Sequence, residues 1–551
     1  MMQFGLPQYA PVYWAGSFIA LAILSAVGYC FYNIVLHPLR KIPGPLLASL
    51  SPFRQIWALH GGQQHIDHIK LHEKYGPVVR VSPDTVLIND STYFAAWSNW
   101  DKADWWLAFR ADPVHLGHNS YHEVKEHSHR KKLIMTGYQM SAVLKKESTM
   151  DKHVLMLATQ LQKRTGKSFD LAPVIHYAAF DIVMDMVFSR PLGFLASASD
   201  VDNVIEALHS LLIVANTMAL LPSISKIMLT PWLFKYVAPK PTDKTGPGRI
   251  HGLAYEIVRQ RYKDLQKSTT KHDDILQSII DKNNPDSEDG PLPWPVLEQE
   301  SIAPILAGSD SVAGHIRAAI FFLSTNNAAR ARLRTEIDAA DAKGALSEVP
   351  RFHEVKEHIP YMDLIMKETM RAYPVVGSPL PRAAPKDGAM INGHFIPPGT
   401  QVAISQWAVS RNRAIFGKDV EVFRPERWET TLTGGPHEVQ DVLSELEANA
   451  NTNSRCMPTG ISSDAEAKIR LRDSGYIPFS LGPMMCTGRN IATVEIYKIV
   501  TQLFRLFEFE IGDPAAPWKS FNKVAMVQWD FFVKVSERKD RPSTVGLAES
   551  A

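Results

Sequence analysis

Phe479-Ser480-Leu481-Gly482-Pro483-Met484-Met485-Cys486-Thr487-Gly488 is the stretch on which the reading of this chain turns. Just beyond it, Asn490-Ile491-Ala492-Thr493-Val494-Glu495-Ile496-Tyr497-Lys498-Ile499-Val500 opens an apolar pattern of helical spacing that continues to Phe507. Cys486 is thereby placed at a helix N-terminus. Unpaired amide N–H groups and the positive end of the helix dipole favour a thiolate there, and the thiolate is the form of cysteine that ligates a metal. Gly482 and Gly488 leave space for a flat ligand to lie close to the backbone, and Phe479 is placed to pack beside the sulfur. Taken alone, the segment is also compatible with a buried, inert cysteine.

Outward from this loop, Glu-x-x-Arg occurs four times, at Glu256/Arg259, Glu348/Arg351, Glu368/Arg371 and Glu421/Arg424. Only Lys367-Glu368-Thr369-Met370-Arg371 lies on an apolar-periodic helix, after Pro360-Tyr361, where i, i+3 spacing puts acid and base on one face. The other three read as solvent-facing charge pairs. Upstream, Trp294-Pro295 opens a helical run expected to reach Ser324, on the order of 45 Å long and able to cross a large domain. Pro304 within it deletes a backbone hydrogen bond and predicts a kink one turn before Gly308. His115, His118 and His122 superficially suggest a zinc site, but their loop context favours surface or pocket residues.

With these segments in view, Phe-x-x-Gly-x-x-x-Cys-x-Gly at 479–488 resembles the heme-binding signature of the cytochrome P450 superfamily. The resemblance covers nearly the whole chain, from Pro43-Gly44-Pro45 through Tyr75-Gly76-Pro77 and Ala307-Gly308-Ser309-Asp310-Ser311 to the cysteine loop, in family order. It implies a mainly α fold with small β-sheets, heme b as cofactor, and Cys486 as the axial ligand of the heme iron. Phe479, Gly482 and Gly488 then belong to the heme loop. Phe423-Arg424-Pro425-Glu426-Arg427-Trp428 is similar to the family segment whose arginine joins the Glu-x-x-Arg pair, so the resemblance implies a buried structural triad of Glu368, Arg371 and Arg427. Ala307-Gly308-x-Asp310-Ser311 matches the family's Ala/Gly-Gly-x-Asp/Glu-Thr pattern except at its last position. By that likeness Ala307 and Gly308 leave room for dioxygen and substrate, and Asp310 and Ser311 are the catalytic pair that relays protons for O–O cleavage. Ser311 keeps the hydroxyl of threonine but lacks the methyl that restricts its rotamer.

The same resemblance places Arg382 where the family meets a heme propionate. His127 and Lys131 match a Trp/His-x-x-x-Arg pattern with Lys in place of Arg, and Arg130 stands beside them. Two uses stay open for this basic cluster, propionate binding and the docking of an acidic reductase. Met484 departs from the pattern, because the residue two before the cysteine is usually Arg or His. A narrower likeness, over Gly388–Thr400, Phe416-Gly417 and Phe423–Trp428, is to fungal pisatin demethylase-like enzymes of secondary metabolism.

Composition is that of a large globular body. The 551 residues are 45% hydrophobic, 21% charged and 9% aromatic, which excludes disordered, collagen-like and repeat-array proteins. Lys+Arg 59 against Asp+Glu 57 leaves a net charge of +2 and no global pull toward nucleic acid. Cys30, Cys456 and Cys486 are too few and too scattered for a disulfide framework, which favours a cytosol-facing protein. There is no P-loop and no GxGxxG, so electrons must come from a partner. Short β-like runs are expected at Val78–Val81, Thr85–Ile88 and Gln401–Ile404. The polar stretch at 430–475 is long enough to be an insertion.

From Met1 to Leu36 there is no Asp, Glu, Lys or Arg. After a short segment, 1–9, residues 10–36 are long and apolar enough, at ~1.5 Å per residue, to cross ~30 Å of hydrocarbon as one transmembrane anchor. Arg40-Lys41 then places the remainder in the cytosol by the positive-inside rule, and a cleaved signal peptide would need a basic start and a shorter apolar core. Residues 37–48 read as a basic, proline-rich hinge and 49–551 as one large heme-thiolate domain. No later apolar stretch is expected to reach spanning length.

Together the likeness implies a heme-thiolate monooxygenase of the endoplasmic reticulum membrane, single-pass, with its catalytic domain in the cytosol. Its implied partners are NADPH-cytochrome P450 reductase, with cytochrome b5 as a second donor, and an apolar small molecule that is hydroxylated, dealkylated or desaturated. By family position the substrate pocket draws on Trp105-Trp106-Leu107, the Ala303–Ala307 face, Val375–Ser378 and Ala525-Met526-Val527. Two rivals stand beside it. A reductase-independent heme-thiolate isomerase or dehydratase has Asp310 and Ser311 against it, and a non-catalytic heme-binding protein has the intact ligand loop against it.

Overall fold

Helices that bury one another form most of the interior of the computed structural model, which describes residues 10–267, 272–287, 290–429 and 472–539. Residues 1–9, Cys456 and all but the last few residues of the expected 430–475 insertion lie outside the described residues. Leu171–Phe188, Asp310–Thr325, Tyr361–Ala372 and Arg489–Leu506 all feed one apolar cluster. Leu171–Phe188 starts on an Asp170 cap, whose side chain accepts from the Ala172 N–H at 2.9 Å. By length and composition this helix passes for a membrane span, contrary to the expectation that none follows the first 36 residues, yet 89% of it is buried inside the protein. A helix packed on all faces needs the same apolar surface that lipid would demand.

The helical run from Trp294 is also not continuous as expected. It is two helices, Trp294–Ala307 and Asp310–Thr325, interrupted at Gly308–Ser309. Pro304 has no N–H to offer the preceding turn, and the interruption falls one turn after it, where the Gly308 N–H reaches the Pro304 carbonyl at 3.0 Å.

The expected β-like runs pair with each other. Val78–Ser82 is antiparallel to Thr85–Ile88, which lies parallel to Gln401–Ile404, and Arg382–Ala383 takes the far edge with Arg382 opposite Val402. A hairpin of Lys519–Lys523 and Ala525–Trp529 joins Val376 through a bridge at Ala525, so two of the expected pocket segments meet. A second sheet orders Ser168–Asp170, Phe532–Glu537 and Phe507–Ile511.

At the N-terminus Ala10–Phe31 is an α-helix extended by a π-helical turn, Tyr32–Leu36. Phe18 and the large apolar side chains from Leu21 onward face outward, Phe18 74% and Leu24 69% exposed. The basic, proline-rich segment that follows is docked on the body. Leu39 and Ile42 enter a core cluster, the Arg80 N–H donates to Pro43 O at 2.8 Å, and a Cβ on Gly44 would collide with the Arg80 carbonyl.

Candidate active site

Gly482–Met484 forms a single 3-10 turn, and Cys486 follows it just before Gly488, the N-cap of the Arg489–Leu506 helix. The Cys486 N–H closes the loop by donating to Phe479 O at 2.9 Å, while Phe479 packs against the main core. Desolvation pushes the Cys486 thiol up in pKa, and the Gly488 amide, the Lys131 charge and the Arg489 amide oppose it. Those are the donors that would hold a thiolate. Although surrounded by protein, the Cys486 side chain presents open surface, which places it on the wall of an interior cleft. Gly488 shares that opening, since nothing lies within 4 Å of a Cβ built on it. Gly482 is constrained by the protein itself: its φ is +65° and a Cβ would lie 2.7 Å from Ser98 Oγ.

Buried cations gather near the cysteine loop. Arg382 is 2% exposed, and neither its Nε nor its Nη1 has a partner. Burial lowers its pKa to about 10. Lys102, which no motif marks, bridges Arg382 in the backbone, and burial followed by the Arg382 and Lys131 charges brings it down to about 7. His127 is buried with Nδ1 on His118 O at 2.9 Å and Nε2 unpartnered, and burial lowers its pKa to about 3. Like charges and unused N–H groups buried together are unfavourable until an anion completes them. Of the other basic candidates, Lys131 Nζ donates to the carbonyls of Pro483 and Met485 and braces the cysteine loop, and Arg130 turns to the Tyr121 hydroxyl at 3.2 Å.

On the central helices Asp310 and Ser311 face different ways. Ser311 Oγ donates to Ala307 O at 2.9 Å, and Ala307 is exposed. Asp310 is 1% exposed and turns toward His209 Nε2 at 3.1 Å and His176 Nε2 at 3.3 Å. Desolvation pushes its carboxyl up, but His209, His176 and Arg317 together outweigh that and hold it well below the usual range. Gly308 answers to its neighbours: a Cβ would lie 2.6 Å from Val183 Cγ2 and 2.7 Å from Pro304 O. A cavity of about 560 Å³ opens on the Asp310 side, lined by His176, His209, Arg317 and Val527 among others, and Cys486 is not part of it.

His118 joins the two halves of the site. Its N–H donates to Glu300 Oε1 at 2.7 Å, its Nδ1 meets Glu300 Oε2 at 2.5 Å, and its Nε2 lies 3.2 Å from Thr487 Oγ1 in the cysteine loop. Sequence reasoning treated His118 as a surface or pocket residue, with no signal that could name Glu300 as its partner. His115 instead pairs with Asp112 at 3.3 Å.

A sequence profile of the cytochrome P450 family matches residues 43–535. The chain belongs to that family. It is a cytochrome P450 monooxygenase, and its cofactor is heme b. Over 541 residues it is 29% identical to a cytochrome P450 monooxygenase of Emericella nidulans, covering 95% of this chain and 97% of the relative. A cytochrome P450 monooxygenase of Aspergillus terreus is 29% identical over 491 residues, 85% of this chain and 90% of that one. Pisatin demethylase of Fusarium vanettenii is 28% identical over 499 residues, covering 89% and 88%. The residues of this P450 fit heme: an open thiol at a helix start, a clear space at Gly488, and a buried arginine, Arg382, with two unpartnered nitrogens.

Behind the heme loop, the P450 ties its helices together through Glu368. Arg371 donates to both of its oxygens at 2.8 Å, Arg427 Nε to Oε1 at 2.9 Å and Trp428 Nε1 to Oε2 at 2.9 Å. Glu368 is 0% exposed, Arg371 2% and Arg427 7%, so every charge is buried and paired. Asp419 is a further member, accepting from Arg427 Nη1 at 3.1 Å. Of the expected pocket residues, Trp105, Val375, Met526 and Val527 are buried, while Ser378 is engaged in a polar network with Asn216, Gln64 and Asn522.

Proposed function

We propose that this P450 is a membrane-anchored monooxygenase of the endoplasmic reticulum that draws electrons from NADPH-cytochrome P450 reductase, with cytochrome b5 as a second donor. Its substrate is an apolar small molecule, an intermediate of fungal secondary metabolism, which it hydroxylates, dealkylates or desaturates. The observation that carries the reading is the open Cys486 thiol with amide donors behind it, together with buried Arg382, whose Nε and Nη1 have no partner. Heme held there by the Cys486 thiolate would supply oxygen activation. The amides of Gly488 and Arg489 hold Cys486 as thiolate, and Arg382 orients a propionate through its free Nε and Nη1. Ser311 presents a proton at Oγ, and Asp310, held ionised on another face of the same helix, passes on protons that it takes up from the His209–His176 side. Trp105, Val375, Met526 and Val527 exclude water and receive the apolar substrate. Outward-facing apolar side chains at Phe18 and between Leu21 and Leu36 support the anchor, and the relative named as a demethylase supports dealkylation among the outcomes.

Mass spectrometry of metabolite extracts from host strains carrying the intact protein or Cys486→Ala tests the reading. The expected result is accumulation of a precursor, with the lost product differing from it by one oxygen, two hydrogens or a methyl group. Compounds of equal mass would favour an isomerase, and unchanged extracts would remove the catalytic assignment.

A further inference from the structure

His176, His209 and Asp310 come from three separate helices, Leu171–Phe188, Val204–Ala219 and Asp310–Thr325, and form the one cluster of potential metal ligands among the described residues. Both imidazoles aim Nε2 at the same carboxylate oxygen, Asp310 Oδ1, at 3.3 and 3.1 Å. Those separations match the edges of a tetrahedral zinc site, about 3.3 Å for metal–ligand bonds of ~2.0–2.1 Å. The rings stack at 5.7 Å with an interplanar angle of 23°, so neither Nε2 needs to swing to face a common point. The other carboxylate oxygen, Oδ2, is buried and has no hydrogen-bond partner. It therefore has lone pairs to give to an ion. Side-chain exposures of 6%, 16% and 2% leave His176, His209 and Asp310 little competing water.

Access and charge also suit a cation. Both histidines line the cavity of about 560 Å³, with Asp310 directly behind them. Asp170 and Asp200 on its wall balance Arg317 and Lys523, so Asp310 leaves the surroundings net negative. Two imidazoles and one carboxylate are a borderline donor set that selects zinc over magnesium or calcium, which prefer all-oxygen shells.

We propose that His176, His209 and Asp310 bind one zinc ion on the cavity side of the broken central helix. The imidazoles coordinate through Nε2 with their protons moved to Nδ1, the carboxylate supplies the third ligand, and water from the cavity supplies the fourth. Zinc there occupies the carboxylate that the proposed function uses to replenish Ser311. On that reading, which this consequence rests on, the bound ion slows turnover without touching the cysteine ligand.

The test uses the full-length, heme-loaded protein dialysed against buffered free Zn²⁺ and counts zinc per heme by mass spectrometry. Wild type is expected to bind one zinc per heme at micromolar free ion, and His209→Ala to weaken that at least tenfold while keeping its carbon monoxide difference spectrum. No stoichiometric zinc on wild type, or binding unchanged by His209→Ala, overturns the site. Zinc K-edge absorption on wild type needs no variant to fold and is separate from the heme iron signal: two imidazoles and oxygen are expected, and a sulfur ligand overturns the assignment. Zinc that binds as described but leaves turnover unchanged keeps the site and removes the proton role given to Asp310.

Discussion

Glu495 lies in the helix that follows Cys486, 1% exposed, with neither carboxyl oxygen partnered. Desolvation raises its pKa well above the ordinary carboxyl value, with nothing opposing. Its folded pKa therefore exceeds its unfolded one. The stability it permits is fully present below the unfolded pKa and is lost as pH rises toward the folded pKa, by about 1.4 kcal/mol per pH unit. Glu495→Gln keeps the shape and removes the proton requirement. Melting curves at pH 5.5 and 7.5 are expected to show the variant gaining on wild type at the higher pH; parallel behaviour would mean that the carboxyl is hydrated or paired. The buried histidines with lowered pKa, such as His68 near 3 and His72 near 4, act with the opposite sign, and the comparison of the two proteins cancels them. Arg382 has a matching imbalance of the other charge, which the heme propionates can complete and which no ligand completes at Glu495.

Among elements, the Glu368 cluster holds the Tyr361–Ala372 helix to the Pro425–Trp428 turn. Glu368→Gln leaves buried Arg371 without a counter-charge and Arg427 with Asp419 alone, and a loss of about 3–5 kcal/mol is expected. Glu421, 68% exposed beside Arg411, is the control: its change to Gln belongs to surface pairs worth about 1 kcal/mol or less. Denaturant midpoints followed by heme absorbance compare them, and similar losses would deny the cluster its structural role. The Glu368/Arg371 pair was legible from its helical spacing and Arg427 from the family likeness of its short motif, whereas Asp419 and Trp428 were not. The strands at 85–88 and 401–404 were legible as short apolar runs rich in β-branched residues, which the structure buries almost throughout. Pro304 announced a disturbed central helix, although its local rule could not say that the break falls at Gly308–Ser309. Other contacts were out of reach. His118 meets Glu300 across 182 positions and His209 meets Asp310 across 101, and Lys102 acquires its importance only because one backbone bridge sets it beside Arg382. Leu171–Phe188 shows the remaining limit: apolar composition reports removal from water, and only packing tells protein from lipid.

For the whole molecule, the question is where the proposed anchor ends and the folded body begins. The division falls inside the apolar segment, before the Pro-Gly-Pro stretch. Asn33 is 2% exposed, its Nδ2 donates to Tyr29 O at 3.0 Å, and Arg80 Nη1 donates to Asn33 O at 3.2 Å. Leu39 and Ile42 are core residues, 1% and 6% exposed. Deleting residues 1–28 removes most of the outward-facing apolar helix and keeps all of these contacts, so the product is expected in the soluble fraction with a normal heme-thiolate spectrum. Deleting 1–42 removes two buried aliphatic side chains, each worth ~1.5–3 kcal/mol, and strips the Arg80 guanidinium of its Asn33 partner. That product should lose heme and melt several degrees lower. Fractionation and melting of the two truncations separate anchor from body. If the 1–28 deletion stays with membranes, the exposed aromatics Trp57, Trp232 and Tyr236, 85%, 67% and 71% exposed, hold the body to the bilayer by themselves and the single-anchor proposal fails. If both truncations are equally stable, the docking of residues 37–42 contributes nothing to the fold and they serve only as a hinge.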